Sequence, residues 1–372
     1  MATWKECFLG DLITFQRGHD LPKSNMKEGK FPVVGSNGII GYHNEYTTNS
    51  PSITVGRSGN VGKPFIYYGK SWSHNTTLYV KQFHNSDPVF IYYFLQTLSL
   101  ENFAGGSAVP TLNRNHIHSL LVCVPEDVEE QRKIGACLKI FDDKIKINSE
   151  INNHLEQQVQ ALYCDIFDVH VHPEWPECHI SDLGTVVGGS TPSKAKPEYY
   201  AEDGIAWITP KDLSVNKSKF ISRGEHDISE LGLQNSSASV MPPGTVLFSS
   251  RAPIGYIAIA DGNVTTNQGF KSVVPYPEIG TAFVYYYLKN NLEIIEGMAS
   301  GSTFKEVSGS IMKSVPAFIP DSNALARFND FCAPVFSEQR HLEQQNIKLS
   351  ALRDTLLPRL MSGELDVSDL DI

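Results

Sequence analysis

Residues 126–166 read EDVEEQRKIGACLKIFDDKIKINSEINNHLEQQVQALYCDI, and this stretch decides the architecture. Ile134, Leu138, Phe141, Ile145, Leu155, Val159, Leu162 and Ile166 recur on alternating steps of four and three, with Asn148 and Asn152 in the two polar slots of the stripe. A heptad pattern held this long predicts a coiled-coil seam rather than the face of a globular helix. Glu126, Asp127, Glu129 and Glu130 load its first turns, where the helix dipole favours acid. At 1.5 Å per residue the run makes a rod of roughly 50 Å.

The register returns 194 residues later in Phe328, Cys332, Val335, Leu342, Leu349 and Leu356, with Gln339 and Asn346 as the polar members. Pro334 lies inside this second run and is expected to kink it or to begin its regular part. If the two helices pair antiparallel, Asn152 and Asn346 could meet near a pseudo-twofold axis and fix the register. Equally, both could face solvent, or each helix could pack on its own domain.

The remainder of the chain is also duplicated, which sets the fold before any local detail. Trp4-Lys-Glu-Cys7 recurs as Trp175-Pro-Glu-Cys178, each followed by Asp-Leu and then by a Gly and a Pro (Gly18 and Pro22; Gly189 and Pro192). Val89-Phe-Ile-Tyr-Tyr-Phe-Leu95 is matched by Ala282-Phe-Val-Tyr-Tyr-Tyr-Leu288, and Gly106-Ser107 by Gly301-Ser302. Strands are predicted over 31–34, 52–55, 65–68 and 78–80, and again over 205–208, 245–248, 256–260 and 270–274. Short buried helices are predicted over 90–98 and 282–290. The expected fold is α+β: two repeat-related domains separated by two long helices that form an antiparallel coiled coil with pseudo-twofold symmetry. The segments are a first globular domain (1–125), a long helix (126–168), a second globular domain (169–320), a second long helix (321–363) and a frayed acidic tail (364–372).

Composition narrows the function. The 372 residues are 41% hydrophobic and 19% charged, too apolar for a disordered chain. No apolar run reaches the length of a membrane span and the start lacks a signal peptide, so a cytoplasmic protein with no membrane partner is expected. Six scattered cysteines without a C-x-x-C pair exclude a zinc ribbon and read as buried thiols. The net charge of −10 argues against coating nucleic acid by bulk charge, but it is uneven: residues 1–125 carry +3 and residues 126–168, 169–320 and 321–372 carry −5, −4 and −4.

Catalytic motifs are missing. Gly69-Lys70-Ser71 has Pro64 where a phosphate loop needs glycine, so it reads as a turn. There is no Asn-Pro-Pro-aromatic or Asp-Pro-Pro-aromatic tetrapeptide, no G-x-S-x-G and no H-E-x-x-H. His170, His172, Glu174 and His179 could suggest a metal site, but they surround prolines in a linker without a counterpart in the first repeat, and a solvated connection is the simpler reading. No catalytic residue, metal or cofactor is expected.

What remains are donor-rich turns placed equivalently in the two copies. Ser36 and Asn37 follow one strand; Thr209 and Lys211 follow its counterpart. Gly56-Arg57-Ser58-Gly59-Asn60-Val-Gly62-Lys63 is matched by Ser249-Ser-Arg251-Ala-Pro-Ile-Gly255. An Arg in a small-residue turn suits base reading, because the backbone can approach DNA and a bidentate Arg–guanine pair gives about 1–3 kcal/mol of discrimination. It could instead pin its own loop. His74-Asn75-Thr76 is matched by Thr266-Asn267-Gln268; Asn and Gln can read adenine or satisfy strand ends. Asn113, Arg114, Thr191, Lys271, Ser302, Thr303 and Lys305 complete the expected DNA-facing set. A coiled-coil adaptor joining two protein- or glycan-binding domains is the competing reading.

Several strings resemble the specificity subunit of type I restriction–modification enzymes over essentially the whole chain. They include Phe31-Pro-Val-Val-Gly-Ser-Asn-Gly-Ile-Ile-Gly41, Gly106-Ser-Ala-Val-Pro-Thr-Leu-Asn113, Glu130-Gln131 after Pro125, and Leu352-Arg-Asp-Thr-Leu-Leu-Pro358-Arg-Leu-Met-Ser-Gly363. The resemblance implies two target-recognition domains, each reading one half of an asymmetric, split double-stranded DNA sequence. It implies a helical spacer that sets the gap between the halves. Two methyltransferase subunits and further restriction subunits would be the partners, with Glu130, Gln131, Leu357, Pro358 and Leu360 as docking residues. The second copy has Ala324-Leu325 in place of Glu130-Gln131, which departs from the pattern.

Overall fold

A computed structural model describes residues 3–106, 110–168, 171–301 and 305–367. Both heptad runs are single helices, Val128–Ile166 and Ser322–Met361. The second continues through Pro334, so the proline does not begin its regular part. A proline removes one ladder bond, and Phe328, Cys332 and Phe336 on either side of it are held in a domain core.

The chain divides into two compact units, residues 1–146 with 347–372, and residues 147–346. Both boundaries fall inside a long helix. In the first unit Ile13–Arg17, Thr77–Phe83, Ser52–Gly56 and Pro64–Tyr67 form one sheet, in that spatial order and antiparallel throughout. Phe31–Gly35 pairs antiparallel with Gly38–His43 and parallel with Trp72–Ser73. Trp4–Phe8 pairs with Leu121–Pro125, closing the unit next to the helix start. Its core joins Ile13, Phe15, Ile53, Phe90 and Ile117 to Ile134 and Leu138 of the first long helix and Leu360 and Met361 of the second.

The second unit repeats this plan. Its five-stranded sheet is built around Val246–Ser250, which pairs antiparallel with Ile254–Ala260 and Lys271–Pro275. Ile205–Ile208 lies parallel to Thr265–Thr266, as Phe31–Gly35 does to Trp72–Ser73. The helices Pro88–Thr97 and Thr281–Asn290 sit where the apolar strings foretold, and the first is capped by Asp87, which accepts from the amides of Val89 and Phe90. Phe283, Tyr286 and Leu288 are fully buried against Val159, Tyr163, Phe167 and Phe328.

The two asparagines at equivalent heptad positions, for which alternatives stood open, each take a different partner on the other helix. Asn346 accepts from Asn148 Nδ2 at 2.9 Å, while Asn152 donates to Glu343 at 3.2 Å. In an antiparallel register the partner of Asn346 lies one helical turn before Asn152, so the equivalent residues pass each other.

Two further expectations change. The tail is not frayed over 364–367: Val367 is buried in the first core and Leu365 packs beside it. Leu365 and Val367 alternate with Glu364 and Asp366, which gives the extended segment one apolar face. The thiols are free but not uniformly buried, since Cys123 and Cys164 are exposed.

Candidate nucleic-acid interface

In the first unit the strands Ile13–Arg17 and Ser52–Gly56 end where Thr77–Phe83 begins, and a cleft of about 670 Å³ opens there. Arg57, Asn113 and Arg114 line it, together with Gln16, Arg17, His19, Asp20 and Thr111. The Arg57 backbone is fixed on both sides: its amide donates to the Thr76 carbonyl at 2.8 Å, and its carbonyl accepts from Leu112 at 2.9 Å. Asn75 donates its amide to Asp20. His74 contacts Thr76 Oγ1 at 3.1 Å, and burial pulls its imidazole below the ordinary histidine value, which keeps it neutral near pH 7.

Other expected residues stand elsewhere. Ser36 is buried under the Thr76 hydroxyl, because its amide closes the turn there at 3.3 Å. Asn37 is exposed at the tip of the neighbouring hairpin. Ser58 donates its amide to Thr76, also within the loop. Asn60 and Lys63 line a separate cleft with Glu101 and Arg353, so they are not brought to Arg57.

The second unit carries the counterpart, a cleft of about 510 Å³ lined by Thr191, Thr209, Lys211, Arg251, Asn267 and Gln268, all six expected from the sequence. Lys194, Trp207, Glu225 and His226 join them. Thr209 caps the helix Pro210–Val215: its hydroxyl and amide both bond the Asp212 carboxylate, at 2.6 and 2.7 Å. Asn267 accepts from Gly269 at 2.8 Å, which commits its carbonyl to its own turn. Lys211 is held by Glu225 at 2.5 Å, and Glu306 lies 3.6 Å from Arg251 and 3.7 Å from Lys271. Lys305 is exposed beside Arg251 in an adjoining hollow. Ser302 and Thr303 lie outside the described residues, as does His170. Among the described residues no three His, Cys, Asp or Glu side chains could share a metal ion; His172 instead stacks on Trp175 and contacts Glu174.

Sequence reasoning missed Arg17 and Lys194. The signal available was their neighbours Gly18 and Gly189, matched between the repeats. A Cβ at Gly18 would lie 2.0 Å from the His74 carbonyl oxygen, and one at Gly189 would lie 2.0 Å from that of Asn267. These glycines let the strand exit pass against the polar turn and so form each cleft. Gly18→Ala and Gly189→Ala are each expected to destabilise the chain by about 1–3 kcal/mol in chemical denaturation, as overpacking does.

Of the docking residues, Gln131 and Leu360 do not face outward. Gln131 donates to the Pro125 carbonyl at 2.9 Å and accepts from the Asp87 amide at 3.0 Å, so it joins the strand end to the helix start. Leu360 is in the core. Glu130 and Leu357 are half-buried and Pro358 is exposed.

The chain is thus a duplicated α+β protein, with a cation-bearing cleft at equivalent loops of each unit. The family model for the type I restriction modification DNA specificity domain matches residues 1–157 and 173–347, and the chain belongs to that family. It is 38% identical over 185 residues to the type I restriction enzyme MjaIX specificity subunit of Methanocaldococcus jannaschii, a match covering 47% of this chain and 43% of that one. It is 24% identical over 331 residues to the HindI specificity subunit of Haemophilus influenzae, covering 69% of this chain and 71% of that subunit. Its fold is that of the crystallised type I restriction–modification S subunit from M. genitalium, with a TM-score of 0.64, 17% identity and 96% of each chain covered. These relatives remove the adaptor reading. No helix is long and apolar enough to cross a membrane among the described residues.

Proposed function

We propose that the chain is the DNA-reading subunit of a type I restriction–modification enzyme, with one half of an asymmetric, bipartite duplex target read at each cleft. The observation that carries this reading is the pair of clefts: equivalent loops bring one arginine, Arg57 or Arg251, to a cleft in each unit, surrounded by different polar residues. Residues 1–125 and 169–320 are then the target-recognition domains. The helical segments 126–168 and 321–363 are an antiparallel spacer related by a pseudo-twofold. Contacts of Asp142 with Arg353, Asn148 with Gln345 and Asn346, and Asn152 with Glu343 support that spacer, because residue numbers rise along one helix as they fall along the other. A gap near one turn of DNA, about 34–36 Å, falls within the spacer's length.

Two methyltransferase subunits dock on Glu130, Leu357, Pro358 and the surfaces around them, and restriction subunits complete the cytoplasmic nuclease. The chain itself carries out no reaction and takes no cofactor. The acidic helices fit this division, since the partners then supply much of the phosphate contact.

Selection from a pool of random duplexes, with the methyltransferase partner present, is expected to return one split sequence; enrichment without a motif would refute the reading. Arg57→Ala is expected to lose about 1–3 kcal/mol of discrimination at one position of one half-site, with the other half unchanged. A lowered melting temperature with intact discrimination would make Arg57 a loop brace.

A further inference from the structure

The two arginines occupy equivalent loops but are not in equivalent electrostatic states. Glu306 stands between Arg251 and Lys271, at 3.6 and 3.7 Å, and its backbone is locked in a two-way bridge with Ser300 (3.1 and 2.9 Å). The same bridge exists in the first unit, where Thr111 pairs with Gly105. The repeat offset of 195 residues takes Gly105 to Ser300 and Thr111 to Glu306. In both copies the next residue donates to the arginine loop at 2.9 Å, Leu112 to Arg57 and Val307 to Ser250. These bonds match Arg57 with Ser250, so Arg251 stands one residue further along the same loop; the scaffold places a carboxylate against Arg251, and a neutral threonine in the cleft that Arg57 lines. Among the described residues, Arg57 has no ion-pair partner.

We infer that position 111/306 determines how each half-site is read. Resting on the proposed DNA-reading role, Glu306 acts as a positioning residue. From the adjoining hollow that Lys305 also lines, it holds Arg251 at the edge of the cleft and neutralises part of the Arg251–Lys271 charge, so a phosphate gains little from Arg251 and only a base that replaces the carboxylate's contacts is bound well. Thr111 leaves the full charge of Arg57 to the DNA, beside Arg17 and Arg114, which line the same cleft. The first half-site is therefore held largely by charge and the second largely by base identity. The segment charges agree in sign: +3 for residues 1–125 and −4 for residues 169–320.

The exchange can be tested in both directions on the full chain with its methyltransferase partner. The probes are the selected duplex and a scrambled duplex, titrated over a range of salt. Glu306→Gln is expected to tighten binding to the scrambled duplex several-fold, to steepen the salt dependence by about one unit of log–log slope, and to relax only the second half-site. Glu306→Asp should behave as the natural chain does. Thr111→Glu is expected to do the reverse: a slope shallower by about one and weaker binding to both duplexes. Unchanged slopes in both exchanges, with only the melting temperature moved, would overturn the inference. Failure of the natural chain to select any split sequence would overturn the DNA-reading role itself, and that result is seen before any variant is compared.

Discussion

Lys219→Ala is expected to remove about 3–5 kcal/mol from the stability of the second unit, because it leaves buried acceptors facing an empty site. Lys219 is 7% exposed. Its ammonium pairs with Glu156 and donates to Gln339 Oε1 at 2.7 Å and to the Tyr286 hydroxyl at 3.0 Å. Glu156 also pairs with Lys289 and accepts from Tyr286 at 2.8 Å, and Glu343 accepts the amides of Lys219 and Phe220. One domain and both long helices therefore share a single buried polar network. Burial alone would raise the Glu156 carboxyl, but Lys219 and Lys289 outweigh it and hold it down to about 2. Burial pulls Lys219 below the ordinary lysine value, against the opposing pull of Glu156.

Because the folded value of Glu156 lies below its ordinary 4.5, its contribution is fully present above pH 4.5 and is lost as pH falls towards 2. Lys219→Ala should weaken that acid-dependent loss as well as lower the midpoint in chemical denaturation. Lys219→Met combined with Glu156→Met is expected to recover a large part of the loss, since no uncompensated charge then remains. A cost below about 1 kcal/mol for Lys219→Ala would mean that the network is not a supporting one.

The second large effect is Phe328→Ala, expected to cost about 3–5 kcal/mol. Phe328 is fully buried, with its ring centroid 5.8 Å from Tyr163, 5.1 Å from Phe167 and 6.0 Å from Tyr286. Removing the ring leaves a cavity among aromatic groups that cannot all collapse inward. Phe328→Leu should cost less, and denaturation midpoints of the two variants measure the difference. Equal costs would show that the site tolerates loss of the ring and that the seam, not the domain core, is what Phe328 serves.

Phe328 also marks how far the sequence could be read. Heptad spacing places it on a stripe and predicts an interhelical seam there. On that stripe Ile134, Leu138, Val159 and Cys332 complete the domain cores, and polar groups such as Asn148, Asn152 and Gln339 make contacts between helices. A period reports which side of a helix is apolar; it does not name what covers that side. In the clefts, Arg57, Arg251, Thr191, Asn267 and Gln268 were legible because small-residue turns recur in both copies. Arg17, at a strand end, and Lys194, in a turn, were not, since their placement depends on segments distant in sequence, His74 against Gly18 and Asn267 against Gly189.

The sequence by itself determined the duplication, the two long helices, the order of strands and the loops that carry the arginines. Each follows from local spacing or from comparison of the chain with itself. Only the tertiary structure decided that Gln131 and Leu360 turn inward, that Lys219 in the polar run Asn216-Lys-Ser-Lys219 is buried on Glu156, and that Glu306 lies against Arg251 and Lys271. Burial and pairing of charge depend on what distant segments bring alongside, and a charged residue's letter is the same whether water or a carboxylate surrounds it.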